Sequence, residues 1–206
     1  MINFSSSQYL SRELYLHPRR HRSLMISHLL SLDEESRRNR FCGLVSDEAI
    51  RNYIDRLDSS RDYMFGIYSL PSVKEDPRIL ALAHLGREDP NPASQHYELA
   101  LSVANSHRRR GLGSMLLEDI LFNKAPILGV KSISCQCLYT NRKVQELFKR
   151  KGVTLEIDIR DNSSEGKIQI PEPTMMARCI ESTTQLLALQ QEISRTGFAT
   201  LRLIYS

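Results

Sequence analysis

Six consecutive residues, Arg108-Arg109-Arg110-Gly111-Leu112-Gly113, restrict the fold more than any other stretch of this chain. They follow an alternating run, Tyr97 to Val103, that reads as a strand. They precede a run in which Leu112, Leu116 and Ile120 recur at helical spacing. A strand that turns into a helix here sets a helix N-terminus at a strand end. Unpaired N–H groups and a partial positive charge gather there, and a phosphate is stabilised with little further help. Gly111 and Gly113 remove side chains that would hold an anion away from the backbone, and they tolerate positive φ. The three arginines add positive charge. The competing reading is a solvated basic turn in which the glycines serve only a tight connection. A nucleotide P-loop is disfavoured because no Gly-Lys-Ser/Thr follows. A Rossmann site is disfavoured by the glycine spacing and by the antiparallel look of the preceding strands.

The rest of the chain supplies an α/β framework around this turn. At 206 residues, with 41% hydrophobic and 25% charged residues, it can bury a core of useful size. Residues 8–16 are a weak strand candidate. From Pro18 the pattern is helical, with Met25, Leu29 and Leu32 on one side. Asp33 and Ser36 can cap a short turn that carries Arg37, Arg38 and Arg40. Ser46 can cap a second helix whose stripe is Ile50, Tyr53, Ile54 and Leu57. Tyr63–Tyr68 and Ile79–Leu85 read as a hairpin across a loop with Pro71 and Pro77.

After the glycines a helix is predicted from Leu112 to about Asn123, then a strand from Lys131 to Leu138. Asn141 can cap a helix carrying Val144, Leu147 and Phe148 that ends at Gly152. Val153–Ile159 and Lys167–Ile170 form a terminal hairpin around Asp161 to Ser164. Past Pro171 and Pro173, residues 174–195 read as an amphipathic helix with Met176, Ile180, Leu186, Leu187 and Ile193 on its apolar side. The strand–helix–strand unit at the centre implies parallel neighbours joined by a right-handed crossover. The expected fold is therefore α/β (α+β): a mixed, mostly antiparallel central sheet, helices on both faces and an appended C-terminal helix.

Composition narrows the function classes. A net charge of +4 suits an anionic cofactor and does not argue for nucleic acid. The arginine clusters lack the interleaved aromatics of a nucleic-acid-binding module, so no nucleic-acid partner is expected. No stretch approaches the ~20 apolar residues of a membrane span. The N-terminus lacks the pattern of a signal peptide, so the expected location is cytoplasmic. Four cysteines fit reduced thiols, and Cys135 and Cys137 share one face of a strand, as packed side chains do. No His or Cys pair has zinc-ligand spacing, so no metal is expected.

At this point the chain resembles the GNAT (Gcn5-related) N-acetyltransferases. Arg108, Gly111 and Gly113 match the specified positions of that family's Q/R-x-x-G-x-G/A signature. Tyr97–Val103 looks like its central strand, and Asn141, Val144, Leu147, Phe148 and Gly152 resemble its second block. The resemblance covers about residues 8–170. It implies a GNAT acyltransferase domain over 1–172, followed by the C-terminal amphipathic helix and tail, 173–206. Leu30–Asp33 through Arg40-Phe41 also looks, more loosely, like bacterial GNAT domains, and carries no substrate assignment.

What the family does then becomes an expectation for this chain: direct transfer of an acetyl group from acetyl-CoA, as cosubstrate, to a primary amine of a small molecule or protein. The rival expectation is a noncatalytic CoA-binding module of the same fold. The resemblance implies that backbone groups of Leu101 and Val103 pair with the pantetheine arm. It implies that backbone N–H groups of Arg108, Arg109, Arg110, Gly111, Leu112, Gly113 and Ser114 hold the pyrophosphate, and that Asn141 touches the cofactor. Arg109, Arg110, Arg142 and Lys143 are alternatives for the 3′-phosphate.

A lysine-like amine, with pKa ~10.4, must lose a proton before it attacks. Glu98, on the strand face of Ala100 and Ser102, is the first candidate base; His84 is the second. The family commonly protonates the leaving thiolate with a Tyr. Phe148 stands at that position, among the cofactor-binding residues, and cannot donate; either the nearby Tyr139 substitutes, or water does the job, or no acid is needed. The acceptor amine is not identified by any pattern. The C-terminal helix packs on the domain, forms a homodimer interface or covers the cleft.

Overall fold

The computed structural model describes residues 18–69, 77–152, 155–158 and 162–170. The strand expected at 8–16, the loop at Pro71, and the C-terminal helix and tail lie outside the described residues.

Three helices precede the sheet: α1 (Pro18–Leu30), α2 (Glu34–Phe41) and α3 (Asp47–Asp55). The sequence suggests only two. The segment after Asp33, expected as a short turn, is the eight-residue α2, and none of its side chains is buried. It therefore carries no apolar stripe to announce it. Polar contacts hold it instead. Asp33 caps it by accepting from Ser36 N, and Arg37 donates to the Leu30 and Leu32 carbonyls. Ser46 caps α3 by accepting from Ala49 N, as its position predicts.

The sheet has six strands: β1 (Asp62–Tyr68), β2 (Ile79–Arg87), β3 (His96–Val103), β4 (Ser132–Leu138), β5 (Leu155–Asp158) and β6 (Ser163–Gln169). Their order is β1-β2-β3-β4-β6-β5. β3 and β4 run parallel; all other neighbours are antiparallel. The mixed, mostly antiparallel sheet is the one the alternation of strands and helices implies. The terminal hairpin departs in one respect. Ser163 and Ser164 belong to β6 and not to its turn, and Ser164 is fully buried beneath Gln145.

Between β3 and β4 the chain forms α4 (Leu112–Asp119), a π-helical turn (Ile120–Lys124) and a short helix α5 (Ala125–Ile127). The single helix expected to Asn123 thus changes pitch at Ile120. Pro126, which cannot continue an i→i−4 ladder, follows the widened turn directly. α6 (Arg142–Arg150) follows β4, capped by Asn141 accepting from Val144 N at 3.4 Å.

Helices cover both faces. Met64 packs with Met25, Leu29, Ile50, Ile54 and Leu82, which places α1 and α3 on one face. Its neighbour Phe65 packs with Leu99, Leu112, Leu116 and Phe148, which places α4 and α6 on the other. Adjacent strand residues point to opposite faces, so two cores sandwich the sheet. Among the described residues, no helix is long and apolar enough to cross a membrane.

Candidate active site

The parallel pair at the centre is short. β3 and β4 are in register only at His96–Ser132, Tyr97–Ile133 and Glu98–Ser134. Beyond Glu98 the two strands part. β4 continues to Leu138 against β6, and β3 continues to Val103 against β2. The resulting gap forms a cleft of about 880 Å³, in the range of small-molecule sites.

The wall on the β3 side is polar backbone. His96 O accepts from Glu88 N, and Ala104 N donates to Leu80 O. The even-numbered residues of β3 therefore direct their backbone groups to β2. By alternation, the N–H and C=O groups of Leu99, Leu101 and Val103 face the gap. An extended ligand with amide groups can pair there as a missing strand would. Leu101 and Val103, the two residues expected to do this, both line the cleft.

The glycine turn closes one end. Gly111, at φ 79°, is the N-cap of α4 and has no side chain to cap it. The first-turn amides at Leu112, Gly113 and Ser114 thus lack intrahelical partners and lie at the cleft. Arg109, at φ 61°, also takes the left-handed region. For a residue with a Cβ this costs about 1 kcal/mol or more, and such strain gathers at functional sites.

The two glycines differ in purpose. Gly111 supplies the backbone angle. A Cβ on Gly113 would lie 3.3 Å from Leu101 Cδ2 and 3.4 Å from Val103 Cγ2. Gly113 is required for the close approach of helix to strand, more than for access of an anion.

Nor are the arginines equivalent. Arg108 also lines the cleft, but its guanidinium binds Asp33 at 3.1 Å, Asn105 Oδ1 and Ser36 Oγ. Its charge is already matched. Arg109 is exposed and lines the cleft, as do Arg142 and Lys143. Arg110 is exposed and is not part of the lining.

At the fork, Glu98 is exposed to the cleft. His84 lies on the neighbouring strand, paired in register with Ala100. Its two ring nitrogens are both engaged: Nδ1 with the Tyr53 hydroxyl at 2.7 Å and Nε2 with Asp62 Oδ1 at 2.9 Å. Arg40 donates to the Tyr53 oxygen at 2.8 Å. Burial opposes ionisation of Asp62. The hydrogen bonds from His84 and Asp58 N, with the neighbouring positive charge, overcome this and hold the carboxyl below its ordinary value. Burial pushes the Tyr53 phenol up, so it stays protonated at neutral pH.

Asn141 and Phe148 also line the cleft. Phe148 is buried. Tyr139 is not part of the lining; its ring lies under Arg142, 4.3 Å from guanidinium carbon to ring centroid. Cys135 and Cys137 are buried, and burial raises their thiols to about 12 and about 11. Neither presents a thiolate for an acyl-enzyme. Among the described residues no cluster of three His, Cys, Asp or Glu could hold a metal ion.

Tyr53, Asp62 and Arg40 were not singled out as site residues from the sequence. Tyr53 reads there as part of a helix stripe, Arg40 as part of a basic turn, and Asp62 enters no motif. No spacing links positions so far apart, and only a polar residue inside an apolar stripe hints at the arrangement.

The sequence profile described as the acetyltransferase (GNAT) family matches residues 29–153. The GNAT domain of S. lividans PAT is similar in structure, with a TM-score of 0.59 at 18% identity over 77% of this chain and 88% of that one. A GNAT-family acetyltransferase from Streptococcus pneumoniae gives a TM-score of 0.56 at 15% identity, over 79% of this chain and 100% of that one. No curated protein matches the chain in sequence.

Proposed function

Since this chain belongs to the acetyltransferase (GNAT) family, we propose that it transfers an acetyl group from acetyl-CoA directly to a primary amine of a small molecule or a protein. The observation that carries this reading is the parting of β3 and β4 after Glu98. It opens one cleft with an uncapped helix N-terminus at one end and ionisable groups at its fork. In this reading the amides of Leu112, Gly113 and Ser114, with Arg109, hold the pyrophosphate. The β3 edge at Leu101 and Val103 holds the pantetheine amides. Arg142 and Lys143 are the nearest cations for the 3′-phosphate. The thioester supplies the activated acetyl group.

Glu98 attracts the acceptor ammonium to the fork. Glu98 and the His84 cluster are the two groups placed to remove its proton. Phe148 favours one other reading, a CoA-binding module without turnover, because it leaves the usual position of a thiolate-protonating Tyr without a hydroxyl.

Calorimetric titration with acetyl-CoA, followed by CoA release against a panel of primary amines, tests both. Wild type binds and releases CoA with at least one amine, while Glu98→Gln binds and releases it more slowly. Gly111→Glu abolishes binding by setting a carboxylate against the pyrophosphate. A wild-type protein that fails to bind acetyl-CoA would falsify the assignment, and binding without release from any amine would leave the module reading.

A further inference from the structure

We propose that the Tyr53 hydroxyl is the group that takes the proton from the acceptor ammonium, passing its own proton to His84, which Asp62 holds in place. The inference rests on the acetyltransferase reading above and names the base that reading leaves open.

The hydrogen bonds give the chain a direction. Asp62, held ionised, can only accept, so His84 Nε2 carries the proton between them. His84 Nδ1 is then an acceptor, and the Tyr53 hydroxyl donates to it. The Tyr53 oxygen accepts from Arg40 and keeps one further lone pair. Tyr53 lines the cleft, so that lone pair is where a ligand N–H can dock. Neither nitrogen of His84 can meet a substrate without breaking one of these bonds. The imidazole acts only through Tyr53.

A second observation is independent of the hydrogen bonds. Gly86 sits opposite Glu98 in the sheet register. A Cβ there would lie 2.9 Å from both His84 Cε1 and Nε2, and 3.2 Å from Asp62 Oδ1. The ring and carboxylate fit together because position 86 has no side chain.

An ammonium proton moves to the Tyr53 oxygen while the hydroxyl proton moves to His84 Nδ1. Tyr53 is neutral before and after, and the imidazolium faces the Asp62 carboxylate. The amine keeps the N–H electron pair and uses it to form the C–N bond to the acetyl carbon. As the C–S bond breaks, the second amine proton goes to sulfur, giving the thiol and the amide. His84 then releases its proton to water.

Charged and titratable groups around His84 include Arg40 from α2 and Cys42 at its end, Tyr53 from α3, Arg61 and Asp62 at β1, and Glu98 from β3. His28 on α1 lies on the same side of the sheet but stays neutral. Glu98, exposed to the cleft, serves attraction and not proton removal.

The test uses wild type, Tyr53→Phe, His84→Gln, Gly86→Ala and Glu98→Gln, each checked for acetyl-CoA binding by calorimetry. With an amine of the panel, kcat at pH 7 falls about 100-fold or more in Tyr53→Phe and His84→Gln, with acetyl-CoA affinity unchanged. The acid limb of the kcat/KM profile seen in wild type disappears in His84→Gln and persists in Glu98→Gln. Gly86→Ala, which keeps every reacting group, also lowers kcat. Hydroxylamine, already neutral at pH 7, is acetylated nearly as well by Tyr53→Phe as by wild type.

If Tyr53→Phe and His84→Gln keep wild-type kcat and pH profile while wild type acetylates amines, the relay is wrong and the acetyltransferase reading stands. A wild type that does not bind acetyl-CoA, or acetylates nothing, overturns the reading and the relay together.

Discussion

Arg108 reaches back 75 residues to bind Asp33, with a nitrogen–oxygen separation of 3.1 Å. The pair joins the phosphate turn to the N-cap of α2, a helix without a buried side chain. The first arginine of the signature therefore organises the wall of the cleft, and the second, Arg109, is exposed and lines it. Replacing each by Ala separates these roles. Both partners of the Arg108 pair are substantially exposed, so Arg108→Ala costs no more than about 1 kcal/mol in urea unfolding and changes acetyl-CoA affinity little. Arg109→Ala leaves stability nearly unchanged and weakens acetyl-CoA binding several-fold at low salt. The deficit shrinks as salt screens the interaction. Equal effects of the two variants on affinity would contradict the assignment.

The two glycines of the turn should fail for different reasons. Gly113→Val drives methyl groups into Leu101 and Val103 and destabilises the fold by about 1–3 kcal/mol, with loss of cofactor affinity as α4 lifts from β3. Gly111→Ala meets a backbone penalty of about 1 kcal/mol at φ 79°. Thermal unfolding of both variants, beside acetyl-CoA titration, checks the order. A milder effect at Gly113 than at Gly111 would contradict the packing argument.

His28 makes stability depend on pH. Its Nδ1 donates to the Ile79 carbonyl and its Nε2 meets the Ser102 hydroxyl, both at 2.9 Å. Burial lowers its pKa from 6.5 to about 4, against the opposing effect of the Ile79 bond and with help from Arg40. Above pH 6.5 the imidazole is neutral in both states and costs nothing. Between pH 6.5 and 4 the unfolded chain takes up a proton that the fold refuses. Stability therefore falls as pH falls, by about 3 kcal/mol at most. Urea unfolding at pH 7.5, 5.5 and 4.5 measures this slope. His28→Gln should be less stable at pH 7.5 and lose much of the slope, and an unaltered slope would locate its origin elsewhere.

Thiol chemistry gives a separate check on the core. Cys42 is exposed, although partial burial and the nearby Glu98 raise its thiol too; Cys135 and Cys137 are buried, with thiols pushed up to about 12 and about 11. In a Cys179→Ser variant, a disulfide reagent at pH 8 should label Cys42 under native conditions. The other two should react only after unfolding. Native-state labelling of Cys137 would show that the β4 wall of the cleft opens.

Much of the fold is legible because its signals are local. Ser46 and Asn141 cap the helices that follow them, and both positions follow from the short-range rule that a side-chain oxygen serves an orphan amide. The β1–β2 hairpin and β3 follow from alternation. α2 escapes notice because long-range polar contacts stabilise it, and the π turn at Ile120–Lys124 escapes because its side chains still follow a roughly helical period. Within the site, the glycine turn and Glu98 are readable from neighbours in the chain. His84 is readable as a second candidate base, but its partners Tyr53 and Asp62 are not, since each looks ordinary on its own element.

The strand order along the chain, the glycine turn and the family could all be read from residues a few positions apart, although α2 could not. Tertiary packing was needed to learn which arginine is tied to Asp33, what Gly113 is for, and that α3, β1 and β2 bring one hydroxyl, one carboxylate and one imidazole into a single chain of hydrogen bonds. Those outcomes depend on where β3 and β4 stop pairing and on which side chains then share a face. That geometry is set by packing of the whole sheet between two layers of helices, and no segment carries it alone.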